Sequence, residues 1–476
     1  MRLSRITIAA SGGVMLAAVV EGVWALLQLL GVVAQGHALY RATGTFYNPG
    51  PLCGFMAVAV PVAAWWVWRG RSRWSEWTGW GVLLLCAAVM PALMGRTGWI
   101  AAAAGVATVW SGMCRLTAEQ RQRLRRWGVA VIAVVVVVMA GLYMLKPESA
   151  KGRLLMWHMA MNALVAEGGW HGIGWERVAG ALGRAQEAYF MEEPRSAAEI
   201  AVAGAPDYAF NEFLQAGIAY GWIGLILLGG LAVWTIWTAW RGRAYGIAGG
   251  AVALVVVCCG SYPLQFGEFY AVGGLLMAGS AGAMRWRSRQ VRICVAATVM
   301  AVCLWGGWQR EMRQRQGREW QRMRGAYVHT PLSERRADEL LRHGGRFGWS
   351  HRYLFDAGKA LRESGRMRES DSLLLEALER SSDPMILNLL GRNAQDRGDA
   401  VEAEVYFKRA AARIPSRLYP RYLLARLYAD SICGPDTVGC RLAAEAALAM
   451  EVKVESPATR QMREELRGLL EMKNEK

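Results

Sequence analysis

The polar segments that could do chemistry in this chain lie at the ends of long apolar runs. None shows the spacing of a phosphate loop, a zinc site or a Gly-x-Ser-x-Gly nucleophile. The segment 146–212 also lacks a paired-aspartate motif, so we expect a reaction that needs neither a metal ion nor a cofactor. The polar segments are 45–51, 95–99, 152–157, 172–174, 211–215 and 221–224.

Long apolar runs position these segments and define the fold class. The chain has 476 residues, of which 54% are hydrophobic, and it holds 22 Trp. Runs of about 20 apolar residues are typical of membrane-spanning helices. We therefore predict an all-α, polytopic membrane bundle. Its nine predicted spans lie at about 11–33, 52–68, 79–94, 98–113, 128–145, 213–237, 245–260, 268–283 and 292–308.

Arginines in the short connecting loops indicate the orientation, because Lys and Arg are retained on the cytoplasmic side. Alternate loops carry 16 basic residues, against only Arg41 and Arg96 in the opposite loops. We therefore predict a bacterial inner-membrane protein with a cytoplasmic N-terminus and a periplasmic loop at about 146–212. This distribution also explains most of the formal charge of +17 without a nucleic-acid partner.

Three regions follow from this topology. Residues 1–308 form the predicted membrane body, residues 309–330 a basic connector, and residues 331–476 a periplasmic helical domain. The connector is predicted to lie near lipid head groups or to act as a charged stalk helix.

The last region carries an internal repeat of 33 residues. Gly358 and Gly391 are related by this spacing, as are Leu374 and Phe407. The unit from Pro384 to Pro415 resembles a tetratricopeptide repeat, so we expect a TPR-like α-solenoid that binds a protein partner.

Two cysteines of the same region lie in a polar loop. Cys433 and Cys440 are seven residues apart. An oxidising periplasm would allow a disulfide, which we predict between them.

In order along the chain, the polar segments resemble the motifs of the O-antigen ligase and O-antigen polymerase family. That family has Gly-x-Phe-x-Asn-Pro, Ser-Arg-x-Gly, Gly-Arg-x-x-x-Trp and Gly-Val-Gly segments, then His-Asn-Glu-Tyr-Leu-Gln ahead of Gly-x-x-Gly. Each motif alone is weak, but five in order at matching topological positions are fairly specific. The corresponding segments are 44–49, 95–98, 152–157, 172–174 and, for the fifth motif, 210–215 with the Gly-x-x-Gly at 221–224.

The resemblance implies a membrane glycosyltransferase. An acceptor hydroxyl would attack the anomeric carbon of a glycan held by undecaprenyl diphosphate, and the diphosphate would leave. An Arg fork can hold phosphate oxygens and neutralise the developing charge. The motif positions make Arg96 and Arg153 the candidates for this role. Glu212 is the first candidate for the general base that activates the acceptor, followed by Asp207 and His171.

The resemblance also suggests substrate-binding residues. Asn211 and Gln215 are expected to orient sugar or backbone groups, and Asn48 is also expected to cap the second span. The predicted substrate-binding set is Asn48, Trp157, His171, Asn211 and Gln215.

Two features depart from the family pattern. Phe210 stands where the family has the His that is thought to act as a base or to organise the acceptor, so that role is not carried over. The family also usually has more spans ahead of the Asn-Pro segment, which an incomplete gene model or a reduced body would explain.

The acceptor stays open at this point. A ligase acting on lipid A core, a polymerase acting on another lipid-linked glycan, and a protein O-oligosaccharyltransferase share these motifs. A different class of function is a non-catalytic scaffold or a transporter. Transporters are expected to show internal duplication of the membrane body, which the sequence lacks.

Overall fold

A computed structural model describes residues 3–34, 37, 39–70, 72–114, 147–192, 195–284, 288–328, 334–430, 436–451 and 455–474. Over these residues the fold is 82% helix and has no strand, which confirms the predicted all-α class. Short helices of other types lie at Leu164–Gly168 (π), Trp175–Arg177 (3-10) and Pro263–Gln265 (3-10).

Within the described ranges we number the α-helices along the chain. They are α1 (Arg5–Leu29), α2 (Pro49–Arg69), α3 (Arg73–Leu93), α4 (Arg96–Met113), α5 (Pro147–Ala163), α6 (Val178–Glu192), α7 (Ala197–Val202), α8 (Glu212–Arg241), α9 (Tyr245–Gly260), α10 (Gly267–Ala283), α11 (Arg289–Val328), α12 (Glu334–Arg342), α13 (Gly344–Phe347), α14 (His351–Glu363), α15 (Met367–Glu379), α16 (Pro384–Asp396), α17 (Ala400–Arg413), α18 (Leu418–Ala429), α19 (Thr437–Leu448) and α20 (Pro457–Asn474).

Five helices in the described part of the chain are long and apolar enough to cross a membrane. They are α1, α2, α3, α8 and the Arg289–Gly325 part of α11. Three further predicted spans, 98–113, 245–260 and 268–283, coincide with the shorter helices α4, α9 and α10. The predicted span 128–145 lies outside the described residues. The count of nine spans therefore stays a prediction.

The chain divides into two compact units. Unit 1 comprises Met1–Lys146, Phe210–Phe213 and Leu225–Arg315. Unit 2 comprises Pro147–Ala209, Leu214–Gly224 and Gln316–Lys476.

Glycines determine how the helices of unit 1 pack. A Cβ on Gly105 of α4 would come within 2.7 Å of both the Gly249 carbonyl oxygen of α9 and the Pro61 side chain of α2. A Cβ on Gly54 of α2 would meet Val257 of α9 at 2.8 Å. Such contacts leave no room for a side chain, so the helix backbones approach closely, as they do in membrane bundles.

The same contacts give the helix directions in unit 1. Cys53 of α2 lies against the start of α4, and Pro61, two turns later, lies against Gly105. Helices α2 and α4 are therefore parallel, and both N-termini lie at one end of the unit. Helix α9 runs the opposite way, since its late residue Val257 faces the early residue Gly54 of α2. Its C-terminus thus lies at that same end.

Unit 2 combines α5–α7 with the helices that follow α11. Within this unit α6 packs against α15 and α17, and consecutive helices from α14 to α20 pack on one another. The 33-residue spacing corresponds to a recurring contact. A Cβ on Gly358 would meet the Leu374 side chain at 2.8 Å, and a Cβ on Gly391 would meet Phe407 at 2.5 Å. The pairs α14–α15 and α16–α17 thus share one packing solution.

Candidate functional site

Asn48 is the N-cap of α2 at the end of unit 1 where α2 and α4 begin. Its Oδ1 accepts a hydrogen bond from the Gly50 backbone N–H at 2.9 Å. Pro49 then opens the helix with a backbone angle that suits the first turn. The Asn-Pro motif therefore has a structural task here, and the backbone N–H groups of the α2 N-terminus point out of this end.

The segment before Asn48 is held by two polar side chains from the interior of α1. Gln28 accepts hydrogen bonds from the backbone N–H groups of Thr43 (3.0 Å) and Gly44 (2.9 Å). Glu21 accepts from the Thr45 N–H at 3.1 Å and from its hydroxyl at 2.8 Å. Burying a polar side chain such as that of Gln28 or Glu21 inside a membrane costs free energy. Here the hydrogen bonds of these two side chains determine the path of the chain into α2.

Arg96 is the first residue of α4, and close packing places it. Gly95 is the N-cap of this helix. A Cβ on Gly95 would approach the Cys53 side chain to 2.5 Å, and one on Gly98 would approach the Cys53 sulfur to 2.6 Å. Glycine at both positions lets the turn lie directly on α2. The half-exposed Arg96 thus sits near the N-terminus of α2 as well as at that of its own helix.

The starts of α2 and α4 are the part of this end of unit 1 that favours an anion. Two parallel helices present their N-termini there, each with backbone N–H groups that have no partner within the helix. Arg96 adds a full positive charge with a planar fork of donors. Phosphate groups bind at such sites through N–H donors and a positive helix end.

Glu212 begins α8 at the same end and is buried, with 1% of its surface exposed. Its Oε1 accepts a hydrogen bond from the Leu264 backbone N–H at 2.7 Å, just after the C-terminus of α9. Its Oε2 is also buried and has no hydrogen-bond partner among the described residues. Arg310 of α11 lies near enough to act electrostatically on this carboxylate.

Phe210, at the position of the family His, packs as an aromatic side chain. Its ring meets Tyr262 edge-to-face, with centroids 5.1 Å apart. The Tyr262 ring also lies next to the Phe266 ring, with centroids 5.9 Å apart, and the Phe266 ring lies next to that of Phe46, with centroids 5.2 Å apart. The backbone of Phe210 has φ +52°, an uncommon conformation for a residue with a side chain. The chain thus makes a sharp turn just before Glu212.

Asn211 and Gln215 hold the turn that leads into α8. Asn211 Oδ1 accepts from the Phe213 N–H at 3.0 Å. Gln215, which is buried, accepts from the Ala209 N–H through its Oε1 at 2.9 Å. Both side-chain amides therefore accept hydrogen bonds from backbone N–H groups through their oxygens. Orienting the backbone was one of the two roles expected for them, and orienting a sugar was the other.

In unit 2, Arg153 and Trp157 lie on α5. They are four residues apart and so share one face of the helix. Both are half-exposed.

His171 lies in a backbone crossing inside unit 2. The N–H groups of Ile173 and Gly174 donate to the carbonyls of Ile218 and Ala219 in α8, at 3.1 and 2.9 Å. A Cβ on Gly172 would lie 2.3 Å from the Ala219 carbonyl. His171 itself is exposed next to this crossing.

Gly221 completes the crossing from the side of α8. It has φ +67°, and its own Cβ would lie 2.2 Å from the Trp170 backbone. Gly172 thus packs against the backbone of α8, and Gly221 of α8 packs against the backbone next to Gly172. These close contacts explain why neither position carries a side chain.

The predicted site residues thus fall into two groups. Asn48, Arg96, Asn211 and Glu212 belong to unit 1, whereas Arg153, Trp157, His171 and Gln215 belong to unit 2.

Sequence reasoning missed the surroundings of Glu212. Gln314 of α11 donates to the Gln265 carbonyl at 2.6 Å, and the Gln265 side-chain nitrogen is buried without a partner among the described residues. Arg310 and Gln314 are four residues apart and so share one face of α11. This polar face, which follows the apolar part of the helix, was the sequence feature that could have indicated these surroundings.

Of the predicted disulfide, Cys433 lies outside the described residues and Cys440 is buried.

The described residues, which are 82% helix without a strand, include five helices able to span a bilayer and have polar segments at the helix ends. These are the features of a multi-pass membrane protein. Residues 80–229 match the family model described as O-Antigen ligase. The matched range is about a third of the chain and includes Arg96, Arg153 and Glu212. The match supports the O-antigen ligase family and, at that level, a membrane enzyme of ligase- or polymerase-like glycosyl transfer. No curated protein and no solved structure matches the chain.

Proposed function

We propose that this protein transfers a glycan from undecaprenyl diphosphate to a periplasmic acceptor, lipid A core or a similar molecule. The observation that carries the proposal is the O-antigen ligase match at residues 80–229, a range that includes both candidate arginines. The end of unit 1, with Arg96 beside two helix N-termini, offers the chemistry that a diphosphate needs.

In this mechanism the acceptor hydroxyl attacks the anomeric carbon, and the bond from that carbon to the diphosphate oxygen breaks. Arg96 holds the diphosphate and neutralises the charge that develops on it. Arg153 has the same role in the proposal, on the strength of its motif position. Removing one such cation from a preorganised site typically lowers the rate by about 100- to 1000-fold.

Glu212 is the proposed general base. Its Oε2 is buried and has no hydrogen-bond partner among the described residues, so this oxygen would take the proton of an acceptor hydroxyl bound next to it. The Leu264 N–H fixes the other oxygen. Asp207 and His171 remain the other candidates, and both are exposed.

We further propose nine spans in a bacterial inner membrane, with residues 146–212 and the chain after 308 in the periplasm, and a reaction that is independent of metal ions. Residues 331–476 would form a TPR-like domain that binds a protein partner. The recurring Gly358–Leu374 and Gly391–Phe407 contacts support that class.

A polymerase and a protein O-oligosaccharyltransferase are alternatives within the same chemistry. A non-catalytic scaffold is the alternative of another class, and one observation favours it. Phe210 fills the position of the family His with a packed aromatic ring.

The test is complementation of a strain that lacks the gene. Wild-type protein should restore attachment of the surface glycan, whereas Arg96→Ala and Arg153→Ala should abolish it and Glu212→Gln should lower it at least about 100-fold. Arg41→Ala, in another predicted periplasmic loop, is the matched control and should complement. Immunoblots of membranes must show equal amounts of each variant. Full attachment in both arginine variants would favour the scaffold.

The accumulated intermediates of the same strain identify the acceptor. Diphosphate-linked glycan together with bare lipid A core selects the ligase. Short glycan chains select the polymerase, and unglycosylated proteins select the oligosaccharyltransferase.

A further inference from the structure

A polar groove lies among α16, α18 and α20 in unit 2. Its volume is about 460 Å³. Seven of its twelve lining residues end in a charged or amide group, and two more are tyrosines. Six that bear on ligand binding are Arg392, Gln395, Tyr419, Tyr422, Gln461 and Glu465.

Contacts inside the groove fix several of these groups in place. Arg426 donates to the Tyr422 hydroxyl at 3.0 Å, and Tyr422 in turn donates to Glu465. Gln461 donates to the other oxygen of Glu465 at 3.1 Å. Gln395 donates to Asp430 at 2.8 Å. Groups held in this way lose little freedom when a ligand binds.

Other groups in the groove are open to a ligand. Arg392 is exposed, and its guanidinium makes no ion pair among the residues that the structure describes. Asp396, one turn along α16, keeps 40% of its side chain exposed although it pairs with Arg362. The groove therefore offers both donors and acceptors at its surface.

Tyrosine rings supply a flat face beside these groups. The Tyr419 and Tyr422 rings are stacked at 23°, with centroids 6.3 Å apart. Tyr422 is buried and fixed through its hydroxyl, and Tyr419 is half-exposed. A ring face of this kind packs against the C–H face of a flat ligand.

We propose that this groove binds a segment of oligosaccharide. A sugar ring presents hydroxyls around its edge and C–H groups on its face, which the paired donors and acceptors and the Tyr419 ring complement. A peptide would need a desolvated apolar anchor pocket. Only Leu423, Ala458 and Met462 are aliphatic among the lining residues, and Leu423 is itself buried.

The inference goes beyond the proposed function, because it needs no transfer reaction. A glycan could be held here while it is extended, attached or only bound.

Binding to the full-length protein in nanodiscs tests the proposal. The probe is the set of reducing oligosaccharides released by mild acid from the surface polysaccharide of the source strain, titrated by isothermal calorimetry. We expect saturable binding that weakens about tenfold or more in Arg392→Ala and in Tyr419→Ala, since each removes a group that contacts the sugar. Arg368→Ala, an exposed arginine of α15 outside the groove, should bind within twofold of wild type.

Two measurements distinguish loss of oligosaccharide binding at the groove from loss of folding and from loss of the transfer reaction. The melting temperatures of the variants must equal that of wild type. Arg96→Ala, in which we expect transfer to fail, should keep its oligosaccharide affinity. The proposal is overturned if the wild-type protein does not bind the oligosaccharides, if Arg392→Ala and Tyr419→Ala bind them as wild type does, or if the groove binds only peptides from a random library.

Discussion

Unit 1 and unit 2 are both helical, yet different interactions hold them together. In unit 1, glycines let backbones touch, as Gly105 and Gly249 do between α4 and α9. In unit 2, charged side chains cross between segments that are far apart in the chain. Arg413, with 1% of its side chain exposed, donates to Glu187 at 3.0 Å across 226 positions.

The difference has a physical cause. Lipid tails are as apolar as leucine, so close packing replaces the hydrophobic effect as the force between helices inside a membrane. Unit 2 shows amphipathic helices with charged outer faces, the pattern of a domain in water. Gln28 and Glu21, which α1 buries, serve the backbone of the segment that leads into α2.

The largest expected effect is a loss of stability in unit 2 that leaves unit 1 unchanged. Glu187 holds both Arg409 and Arg413, so Glu187→Ala leaves a buried guanidinium without its anion. We expect a loss of about 3–5 kcal/mol in the stability of unit 2. Hydrogen exchange across α6 and α17 should accelerate, while α2 and α4 keep their protection. Glu369→Ala, which removes an exposed ion pair with Arg366, should change nothing; similar exchange in the two variants would contradict the account.

A smaller effect is expected from glycine packing in unit 1. Gly105→Ala would place a methyl group 2.7 Å from the Gly249 carbonyl. Overpacking of this kind costs about 1–3 kcal/mol. Gly229→Ala is the matched control, because a Cβ there meets nothing within 4 Å. The melting temperature in detergent should fall for Gly105→Ala only, and an equal change in both would show that this contact is not tight.

The smallest effect is a pH dependence in unit 2. Burial lowers the pKa of His351, which faces Asp207 and Asp383 as well as Arg352 and Arg380. A lowered folded-state pKa means that the unfolded chain binds more protons. This contribution to stability is therefore present above the unfolded-state pKa of about 6.5 and is lost as the pH falls from there towards the lower folded-state pKa.

Thermal melts at several pH values between about 7.5 and 5.5 measure this effect. Wild type should lose stability on acidification, and His351→Gln should show a smaller slope. An unchanged slope in the variant would assign the pH dependence to other groups.

Much of the comparison could be predicted from the sequence, since local patterns encode it. Apolar runs predicted the helices of unit 1. The 33-residue spacing that relates Gly358 to Gly391 and Leu374 to Phe407 indicated a repeat in unit 2, and the Gly358–Leu374 and Gly391–Phe407 contacts recur with that spacing. Asn48 was correctly predicted to cap α2. These features depend on residues that are close in sequence or repeat at a fixed period.

The rest depends on contacts between distant residues, which a single sequence does not encode locally. Glu187 and Arg413 carry no motif that joins them. The crossing of Gly172 over α8 gives a structural reason for the glycine motifs at 172–174 and 221–224. The sequence alone showed these motifs but not their contact. The burial of Glu212 and its hydrogen bond from the Leu264 N–H likewise follow from the fact that α8 begins where α9 ends.

Transfer by purified protein tests the central claim most directly. Wild-type protein in liposomes would receive undecaprenyl-diphosphate-linked glycan and lipid A core, and release of free undecaprenyl diphosphate would be measured by mass spectrometry. We predict release that is coupled to glycan attachment and that falls by about 100- to 1000-fold in Arg96→Ala. Absence of release from wild type with every acceptor class, or equal release in the variant, would contradict the account.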